Sequence, residues 1–421
     1  MKILFATMQF GHGYRQGTER YLRGLGDELG RRGHEVRYLA GDPEDRHAKL
    51  PLGMMTEQDP PVLSYPSAGW LSVRGLSPRH LEVLLGDVRP DLVHLANPAH
   101  VGIGLADACQ RRGIPFVITT MDFWWVCPKA TLTHSSGAIC DANVAWADCV
   151  RCIAGDHPRA AVRKLAHLPA TLLAAALAVK CFGRGMAPAD VRRWFGRRTH
   201  LAACLEAAAH VIFPSAATEQ AIRPLFTHDR FSRIVYGLDE RWFSGPPRPA
   251  QRHEPPVIGF AGALARHKGP HLLLEALRRL GWRDCRIEVA GSELDVEYGK
   301  RLRDLATDLP VTFHGSIAPE EMPDFLRSLD VFVVPSTWPE NAPFAVLEAQ
   351  AVGVPVLATR VSGIADLIPN PQRLFDVNSP ESLAAALQTW RAGDTPEAPP
   401  PVSTVADMTD RTLAVYETVA R

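Results

Sequence analysis

Two glutamates with seven residues between them, Glu340 and Glu348, lie in Pro335-Ser336-Thr337-Trp338-Pro339-Glu340-Asn341-Ala342-Pro343-Phe344-Ala345-Val346-Leu347-Glu348. A strand is expected to end at Pro335. A helix is expected to begin at Pro343, because proline suits the first helical position, with Asn341 or Ala342 at its cap. Glu340 then belongs to a loop and Glu348 to a helix body, so the two carboxylates do not form one acid–base pair. Each is suited to accept hydrogen bonds from hydroxyls on a separate part of an extended ligand. The free N–H groups at the start of that helix suit an anion such as a diphosphate. Lys268 precedes a second expected helix, from Pro270, at another position where an anion is expected. The basic residues divide into 39 Arg and 7 Lys, and Lys268 is one of only two lysines after Lys180, which makes its place more informative.

Three further groups could do chemistry. Asp122, in Met121-Asp122-Phe123-Trp124-Trp125-Val126-Cys127-Pro128, follows an expected strand and could bind a hydroxyl. The aromatic residues beside it suit stacking on a sugar or packing into a core, with packing favoured for at least two of them. Cys127, Cys140, Cys149 and Cys152 fall within 26 positions and end in a C-x2-C knuckle. Thiolates at that spacing can close a tetrahedral site around Zn2+; free thiols, disulfides and an iron–sulfur cluster are the other readings. The loop Gln9-Phe10-Gly11-His12-Gly13-Tyr14-Arg15-Gln16-Gly17 is glycine-rich but does not follow the dinucleotide fingerprint.

The elements that must position these groups alternate short apolar runs with amphipathic stretches, the pattern of parallel sheets with crossover helices. Strands are expected at 2–7, 35–40, 92–95, 116–119 and 211–214, and again at 257–261, 286–290, 311–314, 331–335 and 355–358. Helices are expected at 18–32, 270–280 and 343–352, with a last one at 403–420. The chain has 421 residues, enough for two domains of roughly 200 residues each. Five prolines within 243–256 mark the boundary between them.

Lys+Arg and Asp+Glu both count 46. That balance excludes a protein working mainly by neutralising nucleic-acid phosphates, and no nucleic-acid partner is expected. The apolar start, 1–6, is too short for a signal peptide. The longest apolar stretch, 168–182, carries Lys180 and falls short of the ~20 residues of a spanning helix. Nine Arg/Lys against one acid, Asp190, accompany it between Arg159 and Arg198. Such a helical arm could lie on an anionic membrane surface or pack on the N-terminal domain with solvated arginines.

The Glu340–Glu348 segment resembles the E-x7-E motif of the retaining glycosyltransferases of family 4. The resemblance continues through Glu348-Ala349-Gln350-Ala351-Val352-Gly353-Val354-Pro355-Val356-Leu357-Ala358-Thr359, Ser362-Gly363, Gly259-Phe260-Ala261-Gly262, His267-Lys268-Gly269 and Val235-Tyr236-Gly237-Leu238-Asp239. At the front, Gly17-Thr18-Glu19-Arg20 and Gly33-His34-Glu35-Val36 look like that family's first loop and second strand. A subset of the family carries a similar four-cysteine insert.

The resemblance implies a GT-B fold, two Rossmann-like α/β domains facing each other across a cleft. The N-terminal domain, 1–245, would bind the acceptor and carry the Cys-rich insert at 127–152 and the helical arm at 157–210. The C-terminal domain, 246–400, would bind the nucleotide sugar, and the last helix, 401–421, would cross back. Glu348 would hold the ribose and Glu340 the transferred sugar. Backbone groups of Asn341, Ala342, Pro343 and Phe344 would line the sugar and phosphate site, Lys268 would offset the diphosphate charge, and Gly17 would border it, with Arg15 a weaker candidate. Two departures stand out. Ala263 replaces the basic residue that often follows the glycine equivalent to Gly262, with Arg266 near enough to substitute. Met121 replaces the histidine that many relatives place before Asp122, so any role needing an imidazole there is lost.

The function expected is transfer of a hexosyl group, with retention, from a UDP- or GDP-sugar to a glycan, lipid-linked saccharide or natural-product acceptor. No catalytic metal is required, and the expected location is the cytoplasm, with peripheral contact at the inner membrane face. The alternative is a nucleotide-sugar-binding protein of the same fold with little or no turnover. A nucleotide-sugar dehydrogenase or epimerase would need the dinucleotide fingerprint, which is absent.

Overall fold

The computed structural model describes residues 1–10, 16–42, 62–66, 73, 75–156, 159–169, 172, 196–246, 252–393 and 400–420. Arg15 with the 11–15 part of the first loop, Cys181, and most of the basic arm at 170–195 lie outside the described residues. The chain divides into two compact units, Met1–Val235 with Ala406–Arg421, and Tyr236–Val405. The division falls ten residues before the expected boundary between 245 and 246, and Leu238, just after it, pairs with Thr404 as a parallel bridge. The amide of Leu238 donates to Ser403 O at 2.9 Å and its carbonyl accepts from Val405 N at 2.9 Å.

In the first unit, β1 (Lys2–Thr7), β2 (Glu35–Asp42), β3 (Val62–Pro66), β4 (Leu92–Leu95), β5 (Phe116–Thr119), β6 (His210–Phe213) and β7 (Phe231–Arg233) form a parallel sheet in the order β3-β2-β1-β4-β5-β6-β7. β4 and β5 are buried along their whole length, as strands covered on both faces must be. That burial is why they read as short continuous apolar runs. α1 (Gly17–Arg31) turns Tyr21, Leu22, Leu25 and Leu29 onto the sheet, the helical spacing seen in the sequence. α2 (Pro78–Val88) starts after Ser77, whose hydroxyl accepts from His80 N, and packs beside α3 (Gly104–Arg112). After β5 come a short 3-10 turn, Phe123–Trp125, then α4 (Trp146–Gly155) and α5 (Ala160–Leu165). α6 (Arg197–Ala207) and α7 (Ala216–Ile222) flank β6.

The sequence reading missed β3 and β7. β3 is five residues long and ends in Pro66, and β7 is three residues long and only partly buried, so neither gives a period to read.

The second unit repeats the arrangement. β8 (Val257–Ala261), β9 (Arg286–Ala290), β10 (Val311–Gly315), β11 (Val331–Val334), β12 (Val356–Thr359) and β13 (Leu374–Phe375) order as β10-β9-β8-β11-β12-β13, all parallel. Its helices are α8 (Pro270–Leu280), α9 (Val296–Ala306), α10 (Met322–Arg327), α11 (Phe344–Ala351) and α12 (Pro380–Arg391). Asp295 caps α9 by accepting from the amides of Glu297 and Tyr298. Both sheets therefore reverse direction after their first strand, the doubly wound order that places a crevice at the carboxyl ends of β1/β4 and β8/β11.

The final helix, α13 (Val405–Val419), belongs to the first unit from Ala406 onward. Tyr416, fully buried, meets His94 of β4: Nδ1 of the imidazole lies 2.5 Å from the Tyr416 hydroxyl, and Nε2 lies 2.7 Å from Thr119 Oγ1. Tyr21 OH reaches the same Thr119 oxygen at 3.3 Å. Arg32 adds an ion pair to Asp410, and Arg411 donates to the Arg233 carbonyl.

Candidate functional site

Two loops at the switch point of the second sheet bring together most of the residues that the sequence marks. After β8 the chain makes a 3-10 turn, Arg266–Lys268, and enters α8 through Gly269. Gly269 sits at φ 70°, and a Cβ there would lie 2.0 Å from the Pro335 carbonyl. Only glycine fits, and the close approach locks the β8 loop onto the β11 loop. The Thr337 amide donates to His267 O at 2.8 Å, and the Trp338 ring lies over the His267 ring at 3.9 Å. On the other side the Glu340 amide donates to Ser362 O at 3.1 Å. Gly363, at φ 82°, presses so close that a Cβ would be 2.0 Å from the carbonyls of Glu340 and Asn341.

That frame places Glu340 Oε1 among three donors: Lys268 Nζ at 2.6 Å, Ser336 Oγ at 2.9 Å and Trp338 Nε1 at 3.2 Å. Oε2 makes no hydrogen bond among the described residues. Burial opposes ionisation of this carboxyl, but the Lys268 charge and the three donors outweigh it, and Glu340 titrates below the usual carboxylate range. His267 is held neutral, with its pKa pushed down to about 4 by burial and by the Lys268 charge, Glu340 opposing.

α11 begins at Phe344 with Pro343 as its N-cap in extended backbone, not at Pro343 with Asn341 or Ala342 capping. Pro343 lacks an N–H, so it can stand one position earlier at no hydrogen-bonding cost. Glu348 lies in the helix body, 7% exposed, and Ala342 is buried. Asn341 Nδ2 donates to Tyr236 OH at 2.9 Å, and the Tyr236 ring stacks on Phe344 at 5.0 Å with 7° between planes. Arg266 turns its guanidinium over the Tyr298 ring at 5.3 Å. Glu340, Lys268, Asn341 and Phe344 thus share one constellation. Ser336, Trp338 and Tyr236 belong to it too, and the sequence reading gave them no role. Their signal was position: Ser336 and Trp338 lie in the same post-strand loop as Glu340.

In the first unit, Gly17 opens α1. Asp122 N-caps the 3-10 turn: Oδ1 accepts from Trp124 N at 2.7 Å and Oδ2 from Asn97 Nδ2 at 2.8 Å. Burial pushes its pKa up to about 6, against those two hydrogen bonds and the charge of Arg197. Phe123, Trp124 and Trp125 are all buried, as is Met121. Asn97 had a readable signal, since it lies two residues beyond the buried strand β4.

Cys127, Cys140, Cys149 and Cys152 are all partly buried free thiols in one lobe. They lie close enough to act on one another electrostatically: burial first, then the other three thiols, push Cys149 up to about 11. Lys129 Nζ lies 3.5 Å from Cys152 Sγ. The lobe has little core of its own, one cluster being Phe123, Leu132 and Ala217 and another only Val150 and Ala154. Ala130 and Leu132 are held at φ 59° and 47°, a conformation that costs roughly 1–2 kcal/mol per residue without glycine. Four soft donors on a thin, strained lobe fit zinc by donor chemistry. Yet among the described residues no three His, Cys, Asp or Glu side chains converge as a closed ligand set.

Two parallel sheets of the same doubly wound strand order, each with its own switch point, define a protein of GT-B class. The family described as Glycosyltransferase Family 4 matches residues 15–242, more than half of the chain, and the one described as Glycosyl transferases group 1 matches residues 246–398. The chain belongs to glycosyltransferase family 4. It is 30% identical over 378 residues to a GDP-mannose-dependent alpha-mannosyltransferase of Mycolicibacterium smegmatis, an alignment covering 87% of this chain and 82% of that protein. It is 36% identical over 143 residues to a D-inositol 3-phosphate glycosyltransferase of Corynebacterium urealyticum; there the match covers 31% of this chain and only about a third (34%) of that relative's length. The solved structure of Anabaena Alr3699/HepE in complex with UDP superposes with a TM-score of 0.63 at 18% identity, covering 100% of this chain and 98% of that one.

Proposed function

We propose that this protein is a retaining glycosyltransferase that moves a hexosyl group from a UDP- or GDP-sugar to a hydroxyl of a glycan, lipid-linked saccharide or natural-product acceptor. The observation that carries this reading is the Lys268–Glu340 contact at the switch point of the second sheet, with Glu348 in the helix that follows. In an α/β unit of this topology, ligands bind at that position. The C-terminal unit takes the donor. Glu348 accepts from the ribose hydroxyls, Lys268 and the amides opening α11 offset the diphosphate, and the open oxygen of Glu340 accepts from a hydroxyl of the transferred sugar. The N-terminal unit takes the acceptor, with Asp122 as a hydroxyl-binding carboxylate and Gly17 bordering the phosphates.

The chain's contribution is placement and fixed charge, and the departing diphosphate oxygen receives the acceptor proton. Arg266 replaces the basic residue absent at Ala263. A structural Zn2+ on Cys127, Cys140, Cys149 and Cys152 staples the thin lobe, and the basic arm at 159–198 rests on an anionic membrane surface. Among the described residues no helix is long and apolar enough to cross a membrane.

Incubation with a panel of UDP- and GDP-sugars tests the central reading. Slow release of free sugar and nucleotide from one donor, lost in Glu340→Gln, supports a transferase. Tight donor binding with no release from any donor, with or without an acceptor panel, supports the binding protein of the same fold. Vesicle co-sedimentation that is unchanged when the arm's arginines are neutralised ends the membrane proposal.

A further inference from the structure

Four polar groups join end to end inside the N-terminal unit. Tyr416 of α13, His94 of β4 and Thr119 of β5 are each 0% exposed, and Tyr21 of α1 is 2% exposed. The Tyr416 hydroxyl lies 2.5 Å from His94 Nδ1, His94 Nε2 lies 2.7 Å from Thr119 Oγ1, and Tyr21 OH lies 3.3 Å from that same oxygen. The rings of Phe5, Tyr21 and Tyr416 stand across the imidazole at 71°, 85° and 80°. Three aromatic neighbours hold the ring in place, so its two nitrogens keep separate partners.

The order of the hydrogens follows from counting donors. Among the described residues the Tyr416 hydroxyl has one hydrogen-bond partner, His94 Nδ1. Its hydrogen must go there, because a buried donor left unmade costs more than a typical hydrogen bond returns. Nδ1 is therefore an acceptor and carries no hydrogen. Burial keeps the ring neutral, and a neutral imidazole has one N–H. That N–H is on Nε2 and is donated to Thr119 Oγ1. Thr119 then has its own hydroxyl hydrogen to give to Tyr21. The reverse order would strand the Tyr416 hydrogen in the core.

We propose that Tyr416 is a positioning residue, the head of a one-way hydrogen-bond chain, Tyr416 to His94 to Thr119 to Tyr21, through which α13 sets the carboxyl edge of the first sheet. Both ends of its reach carry candidate site residues. Tyr21 lies one turn into the helix that Gly17 opens. Thr119 ends β5, and its carbonyl accepts from the Met121 amide at 3.0 Å in the turn that leads to Asp122. Bonds in such a row polarise one another, so loss of the first weakens the rest. The consequence for turnover rests on the proposed roles of Gly17 and Asp122; the chain itself does not.

Nitrogen NMR of the full-length protein, labelled at histidine, tests the order. At pH 7 His94 should show its hydrogen on Nε2 and a bare, accepting Nδ1; a hydrogen on Nδ1 overturns the inference. Hydrogen exchange tests the reach. Tyr416→Phe should accelerate exchange about fivefold or more in α1 and in the 116–122 segment, with α7 and β8 unchanged. Thr119→Val should do the same, and Thr119→Ser should stay near the wild type. Acceleration confined to α13 and β4 overturns the chain, as does equal acceleration throughout the first unit. If Thr119→Val does not fold, Tyr416→Phe and Thr119→Ser decide the matter. With whichever UDP- or GDP-sugar the protein hydrolyses, Tyr416→Phe should lower kcat about fivefold at unchanged KM, because the donor's proposed contacts lie in the second unit. A chain present by NMR and exchange with kcat unchanged ends the proposed roles of Gly17 and Asp122 and leaves the chain standing.

Discussion

Lys268 Nζ and Glu340 Oε1, 72 residues apart in sequence, lie 2.6 Å apart at the point where the second sheet reverses its strand order. A diphosphate drawn to Lys268 must compete with Glu340 for the ammonium. On the proposed reading, Glu340→Gln removes the competitor and the acceptor of the sugar hydroxyl together. Calorimetric titration should therefore show free nucleoside diphosphate binding as tightly as to the wild type or a few-fold more tightly. Turnover of the full donor should fall by about a hundredfold or more. Weakened nucleotide binding with normal turnover would place Glu340 elsewhere.

Glu348 behaves differently if it holds the ribose. The ribose is remote from the reacting bond, so its interaction changes little between ground and transition states. Glu348→Gln should weaken both donor and free nucleoside diphosphate by ~1.5–3 kcal/mol, roughly ten- to a hundredfold. Lys268→Met should weaken the diphosphate and spare the free nucleoside, a contrast readable in the same titrations.

The Asp122 carboxyl gives a pH dependence with an uncommon sign. Its folded pKa, about 6, lies above the usual 3.8. Between those values the native state binds the proton that the unfolded state has released, so this group's contribution is full below pH 4 and declines as pH rises through 6. Asp122→Asn should therefore gain on the wild type between pH 4 and pH 7. Parallel urea titrations at the two pH values would expose the opposite trend.

His94 has the ordinary sign for a buried imidazole. Burial pushes its pKa down to about 3, so below the unfolded value of 6.5 the unfolded chain takes up a proton that the native state refuses. Its contribution is present above pH 6.5 and falls by ~1.4 kcal/mol per pH unit below it. Tyr416→Phe leaves the Nδ1 side of that ring without its hydroxyl partner and should cost ~1–3 kcal/mol, measured as a loss of protection in β4 at constant pH.

The cysteine lobe is open to metal analysis. Protein purified without chelator should carry close to one equivalent of zinc, and Cys149→Ser should lower it and expose the 127–156 segment to protease. A zinc content near zero in intact protein would leave the four thiols as unligated side chains.

Much of this was legible because the strands are short and doubly buried. Runs such as Phe116-Val117-Ile118-Thr119 and Val331-Phe332-Val333-Val334 appear as strands from composition alone, and the residues just beyond them fall at the sheet's carboxyl edge. That is how Asp122, Lys268 and Glu340 could be chosen. What stayed hidden depends on contacts between distant segments. No local pattern says that Lys268 binds Glu340 directly, that Trp338 and Ser336 share its oxygen, or that Arg197 donates to the Trp124 carbonyl. The start of α11 was misplaced by one residue because proline is equally acceptable at the first helical position and at the cap before it.

The Tyr416–His94 contact also bears on how the protein is made. β4 leaves the ribosome more than 300 residues before the helix that completes its surroundings. During synthesis the N-terminal sheet must wait, with His94 and its apolar neighbours uncovered, while the entire second unit is translated and free to fold. The nascent N-terminal unit therefore lacks that covering for the whole of the interval, and a ribosome stalled before residue 406 holds a sheet that α13 has yet to close.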